Sequence, residues 1–185
     1  ITIPNSVTGI GSSAFGSCTS LTAINVTTGN KNYLSVNGVL YNKDKTAIIC
    51  YPAGKKDKNY KIPDGVTSIG SSAFYGCTSL TSITIPGSVT YISDDVFRDC
   101  SSLTSITIPD SVTSIRDRTF EGCTSLTSIA IPDSVTEIGW YAFSDCSSLT
   151  SIAIPDSVTK IGWYVFDGCT SLTSITIPDS VTSIG

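Results

Sequence analysis

Residues 103–125, LTSITIPDSVTSIRDRTFEGCTS, carry apolar side chains at Leu103, Ile106, Ile108, Val112, Ile115, Phe120 and Cys123, with the weaker Thr119 beside Phe120. Counting Leu103 as position 1, these fall at positions 1, 4, 6, 10, 13, 18 and 21, with Thr119 at 17. The same 23-residue pattern opens at Leu80, Leu126 and Leu149. Ile106 and Ile108 are two apart, so they share one face of an extended segment while Ser105 and Thr107 take the other. The β-branched content agrees with a strand. Pro109 has no amide to donate and ends the ladder there. Val112 to Ile115 predicts a second short extended piece. Positions 15 to 21, DRTFEGC in this copy, are too few for a stable helix and predict one helical or 3₁₀ turn.

Such a unit cannot bury its apolar side alone, whereas stacked copies share one continuous core with neighbour-only contacts. At about 4.8 Å per coil, eight coils make an array roughly 40 Å long. The expected architecture is a repeat solenoid of short parallel strands joined by helical or 3₁₀ turns, one domain over residues 1–185. Ile1 to Ser20 reads as a coil lacking its first three residues, with Phe15 and Cys18 in phase. The next in-phase proline after Pro4 is Pro63, 59 residues on, where two periods would give 46, so 13 residues are inserted. Residues 25–60 hold that irregular repeat. VLYNKDKTAIICYP predicts a β-hairpin around Asn42 to Lys45, and Asn37-Gly38 marks a further turn. Two readings of this segment's lysines stand, a docking face or charges that keep the hairpin's exposed edge soluble, and the second is expected. Coils then open at Asp57, Leu80, Leu103, Leu126 and Leu149, with a partial one at Leu172. The chain reads as a piece of a longer array, open to end-to-end self-association.

The pattern LxxIxIPxxVxxIxxxAFxxC, carried by nearly the whole chain, resembles the bacterial leucine-rich repeat of BspA-like surface proteins. The interrupted GNxxYxSxxGVLYNKDKT run looks like one that recurs in that family. The resemblance implies a leucine-rich-repeat arc, an extracellular or cell-surface location, and adhesion to host proteins or other cells. One departure stands out. The asparagine usual near position 9 is replaced by Ser88, Ser111, Ser134, Ser157 and Ser180, so a serine ladder is expected in place of an asparagine ladder.

Composition narrows the chemistry. The net charge of −4 argues against nucleic acid, and no apolar run is long enough to span a membrane. The chain has no histidine, which removes the usual base of nucleophilic catalysis and the commonest transition-metal ligand. We therefore expect no enzyme, no cofactor and no metal site. Six of the seven cysteines sit at position 21, in phase with the core. They are expected as buried, reduced thiols rather than a disulfide or metal column. Asp64, Asp110, Asp133, Asp156 and Asp179 recur just after proline, where turn chemistry favours aspartate. Asn25-Val26-Thr27 is a lone glycosylation sequon.

A binding site is sought where the copies differ. The outward strand positions are monotonous Ser, Thr and Ala, whereas variation gathers at positions 12, 14 to 16 and 19 to 20. The candidates there are Trp140, Tyr141, Trp163, Tyr164, Tyr91, Arg116 and Arg118. Trp140 and Trp163 are one period apart and should be stacked neighbours, as should Tyr141 and Tyr164. Two readings stand: an exposed aromatic anchor for a host or neighbouring-cell protein or glycan, or rings lying flat over the coil turn as packing. At the level of the whole chain, a non-enzymatic adhesion module competes with a structural stalk or self-assembling filament.

Overall fold

A computed structural model describes residues 1–185. Positions 3 to 5 of successive coils pair in parallel as Asn59–Lys61, Ser82–Thr84, Ser105–Thr107, Ser128–Ala130 and Ser151–Ala153, forming one five-stranded sheet. The pairing keeps strict repeat register, Ile106 beside Ile83 and Ile129 beside Ile152. The second extended piece also forms. Ser114–Ile115, Glu137–Ile138, Lys160–Ile161 and Ser183–Ile184 make a four-stranded parallel sheet. Ala47–Cys50, Ser68–Ile69 and Tyr91–Ile92 make the equivalent ladder among the earlier coils. The irregular repeat is a three-stranded antiparallel meander of Tyr33–Val36, Val39–Asn42 and Ala47–Cys50, whose last strand hands over to the parallel stack.

The stretch at positions 15 to 21 forms no helix, contrary to the expected helical or 3₁₀ turn. Positions 16 and 20 are left-handed in every regular copy, for example Asp95 and Asp99 at φ 58° and 55°, and Arg118 and Gly122 at 53° and 72°. A left-handed residue interrupts α or 3₁₀ winding. The alternation serves the stack instead. The amides of Arg118, Phe120 and Gly122 donate to the carbonyls of Trp140, Ala142 and Ser144 in the next coil at 2.8–2.9 Å. The intervening amides of Thr119, Glu121 and Cys123 close local turns onto Arg116, Arg118 and Phe120. Backbone groups that a short helix would leave unpaired at its ends are thus satisfied between coils.

Side chains add further ladders. The expected serine ladder is present: the hydroxyls of Ser88, Ser111, Ser134, Ser157 and Ser180 donate to the carbonyls of Val66, Val89, Val112, Val135 and Val158 at 2.5–2.8 Å. Each position-7 proline carbonyl accepts the valine amide three residues on, as Val112 to Pro109 at 3.0 Å, so Pro-Asp-Ser-Val is a β-turn with its aspartate exposed. Inside, 41 residues form one apolar cluster along the array, and Ile3, Ile24, Leu40 and Cys50 form a smaller one under the first coils. Tyr51, Phe74, Phe97, Phe120, Phe143 and Phe166 run through the larger cluster as a column with ring centroids 5.3–6.0 Å apart.

The cysteines line this core, and all seven are free thiols. Cys100, Cys123, Cys146 and Cys169 donate Sγ–H to the carbonyls of Phe74, Phe97, Phe120 and Phe143 at 3.1–3.2 Å. Burial pushes ionisation of the core thiols out of reach: the Cys50 thiol rises to about 12 and that of Cys169 to about 11. Cys18 is the correction to the sequence expectation, because it is exposed. It belongs to neither apolar cluster, so the in-phase position is uncovered here. A thiol-reactive reagent at neutral pH should therefore modify one thiol rapidly and the remaining six only on denaturation. Two or more fast thiols in the native protein would contradict this packing.

Candidate functional site

Position 14 sets how closely coils approach in the second sheet. It is glycine at 11, 70, 139, 162 and 185, and at the last four a side chain has little room. A Cβ on Gly139 would lie 2.7 Å from Arg116 C and Asp117 N, and one on Gly162 2.8 Å from Gly139 C and Trp140 N. Gly139 and Gly162 donate to the carbonyls of Ile115 and Ile138 at 2.7 and 2.8 Å. Where position 14 is Ser93 the equivalent bond to Ile69 is kept at 3.1 Å, the same length as that of Gly185 to Ile161. Where it is Arg116 the ladder lapses, and Tyr91–Ile92 does not pair with Ser114–Ile115. The arginine stands at this break in the ladder, and its guanidinium pairs with Asp94 at 3.1 Å.

From this break toward the last coil runs a groove of about 470 Å³. Its floor is position 12 and position 14 of four coils, including Ser114, Glu137, Lys160, Gly139 and Gly162, and its wall is Trp140 and Trp163. Each indole lies over the position-14 glycine of the following coil, Trp140 on Gly162 and Trp163 on Gly185, a placement that any larger residue there would obstruct. The two indoles stack with centroids 5.7 Å apart and planes 15° from parallel, yet remain 54% and 57% exposed. The stack turns one face of each ring to the other. Trp140's amide is held by Asp117 Oδ1 at 2.8 Å. Glu137 and Lys160 are register partners on the floor, both exposed, and no ion pair joins them.

The candidate residues thus divide into neighbouring groups. Trp140, Trp163 and Arg116 border one groove. Tyr141 and Tyr164, one residue further along each coil, stack as a second column at 5.0 Å, both in the left-handed region at φ 55° and 58°. Arg118 caps that column, its guanidinium 5.2 Å from the Tyr141 ring centre. Beneath it, Glu121 is contacted by Arg98 at 2.9 Å and Arg118 at 3.3 Å, and burial nonetheless holds its carboxyl above the usual range. Tyr91 is exposed but stands outside the groove, touching the group only through Arg116, 6.0 Å from its ring. The sequence reading missed the glycine floor. Its signal was present in the recurrent Gly before Trp-Tyr, but which neighbour a glycine must admit depends on the stacking register.

This geometry rests on a repeat that the comparisons define. The family described as BspA type Leucine rich repeat region matches with six copies over residues 1–44, 51–147 and 90–185. The chain belongs to the BspA-type leucine-rich repeat family. Among solved structures, this BspA-type chain is similar to a leucine rich cell surface protein from Faecalibacterium prausnitzii, with 40% identity and a TM-score of 0.88 over 95% of this chain and 46% of that one. The Pneumococcal vaccine antigen PcpA is 28% identical, with a TM-score of 0.84 over 98% of this chain and 49% of the antigen. A leucine-rich repeat protein from Eubacterium ventriosum is 28% identical, with a TM-score of 0.76 over 98% of this chain and 55% of that protein. The chain therefore spans about half the length of these relatives. No curated protein sequence matches it. No helix is long and apolar enough to cross a membrane.

Proposed function

We propose that this BspA-type array is a non-enzymatic recognition module of the cell exterior, and that it holds a protein partner along the Trp140–Trp163 edge. The observation that carries the reading is the exposed indole pair walling a groove whose floor offers Glu137 and Lys160 unpaired. Large aromatic anchors beside uncommitted charges of both signs are the usual makings of an interaction hot spot. Mutual stacking supports a protein over a glycan as partner, because a sugar ring packs on an indole face and the stack takes up one face of each. The similarity to a leucine rich cell surface protein supports the location.

The test is a binding screen against matrix proteins and glycans, run beside a Trp140→Ala/Trp163→Ala double variant. Both rings are largely exposed, so the variant should melt close to the parent temperature. Its affinity for a protein hit should fall by at least about 30-fold, the equivalent of a 2 kcal/mol hot spot. An unchanged affinity would move the site off this edge. Failure of every ligand, with the fold intact, would favour the stalk or filament reading.

A further inference from the structure

Charge is distributed very unevenly along this chain. Residues 31–61 hold seven lysines, at 31, 43, 45, 55, 56, 58 and 61, against Asp44 and Asp57, a local balance of +5. The rest holds four cations, Arg98, Arg116, Arg118 and Lys160, against thirteen acids, a balance of −9 that completes the total of −4. From the sequence alone, guarding the hairpin's edge stands ahead of docking as the role of these lysines. The structure removes that role. The outermost strand of the meander, Tyr33–Val36, carries no lysine and is half-buried throughout. It is tied to the second coil by Ser35 Oγ donating to Ile24 O at 2.6 Å, and by the Ile24 amide donating to Gly38 O at 2.9 Å.

The lysines instead occupy turns. The Lys43 amide donates to Asn32 O at 2.9 Å, and Lys43 Nζ donates to Asn30 O at 2.6 Å. These bonds bring the turn carrying Lys43 and Lys45 against the loop carrying Lys31. All three are exposed, and none has a carboxylate partner. Lys55 reaches Asn37 O at the opposite turn and pairs with Asp57, and Lys61 pairs with Asp64, while Lys56 and Lys58 are exposed and unpaired. Five of the seven ammonium groups thus lack a carboxylate partner on a protein of opposite overall sign.

We propose that these turns form a second docking surface, whose ligand is a linear polyanion bearing phosphate or sulfate groups. Lysine is a compact, mobile point charge, suited to a polymer that presents many equivalent anions. Arginine, which would match one carboxylate or phosphate bidentately, is absent from this segment. A second copy of the chain is the less fitting occupant, because two copies of like net charge repel at long range. The surface is independent of the indole edge. Three coils lie between the meander and the coil bearing Trp140, placing the two about 20 Å apart at the strand spacing of a stacked array. A polymer held at one and a protein held at the other would not compete.

Long-chain polyphosphate and heparin serve as probes, titrated at low and at physiological salt. Both should bind with a log affinity that falls linearly with log salt concentration, as counterion release requires. A Lys31→Gln/Lys43→Gln/Lys45→Gln variant should bind at least tenfold more weakly at low salt, with a shallower salt slope, and Lys56→Gln/Lys58→Gln should weaken binding independently. The Trp140→Ala/Trp163→Ala variant should bind as the parent does, and thermal melting checks that each variant folds. The proposal is overturned by no binding at low salt, or by binding that folded lysine variants retain in full. Binding to anionic vesicles but not to either polymer would overturn it in favour of a lipid surface. Lysine-dependent oligomers at low salt without polymer binding would overturn it in favour of a second copy.

Discussion

Replacing Phe120 with alanine should destabilise the array by about 3–5 kcal/mol, the usual range for emptying a fully buried aromatic site. Phe120 is inaccessible to solvent and stacks between Phe97 and Phe143 at 5.5 and 5.4 Å. Its removal leaves a void in a column whose neighbours cannot collapse inward. Their amides and carbonyls are pinned by bonds such as Phe97 N to Thr119 O and Phe120 N to Ala142 O, both 2.9 Å. The informative control is Phe166→Ala at the far end of the same column, where the ring is half-buried and has an aromatic neighbour on one side. Because a solenoid's stability is a sum of unit and nearest-interface contributions, Phe120→Ala touches two interfaces and Phe166→Ala fewer. Denaturant melts that rank the two variants equally would show that the column does not hold the coils together.

The second expected result joins the fold to the site. Gly162→Val should cost on the order of 1–3 kcal/mol by overpacking and should also displace Trp140. The new Cβ would meet Gly139 C and Trp140 N at 2.8 Å and Trp140 Cδ1 at 2.5 Å. Backbone atoms on that list cannot rotate away, so the coils must part. The indole then loses its seat, and its fluorescence should shift to the red. If the Trp140–Trp163 edge is the recognition site, partner affinity falls in step with that shift. A Gly162→Val protein with parental stability and an unshifted spectrum would mean that the glycine row is incidental.

Much of this protein was legible before any coordinates. Alternation at positions 4 and 6, proline at 7 and aspartate at 8 are local signals, and each has one physical outcome: an inward-facing strand, its termination and a turn. A 23-residue period then leaves stacking as the way to bury the shared face. The same period predicted that Trp140 would meet Trp163 and that Ser111 would meet the preceding coil, since residues one period apart become neighbours in a register-true stack.

What the period could not supply was conformation chosen for the neighbour's sake. DRTFEGC has the length and composition of a helical turn, and only the carbonyls of the adjacent coil make left-handed backbone at Arg118 and Gly122 the better solution. Arg116 reads as one more variable surface residue until the glycines at its position in other coils reveal how little space a side chain has there. The hairpin lysines read as edge guards until the edge proves to be covered by Ser35 and Ile24. By itself the sequence determined the unit, its repetition, its core and the pairing of equivalent residues, because those depend on side-chain pattern within one copy and on a constant period. Only the tertiary structure decided the turn conformation, the groove at the Arg116 break and which charges stand unpaired, because those depend on the distance between one coil's backbone and the next.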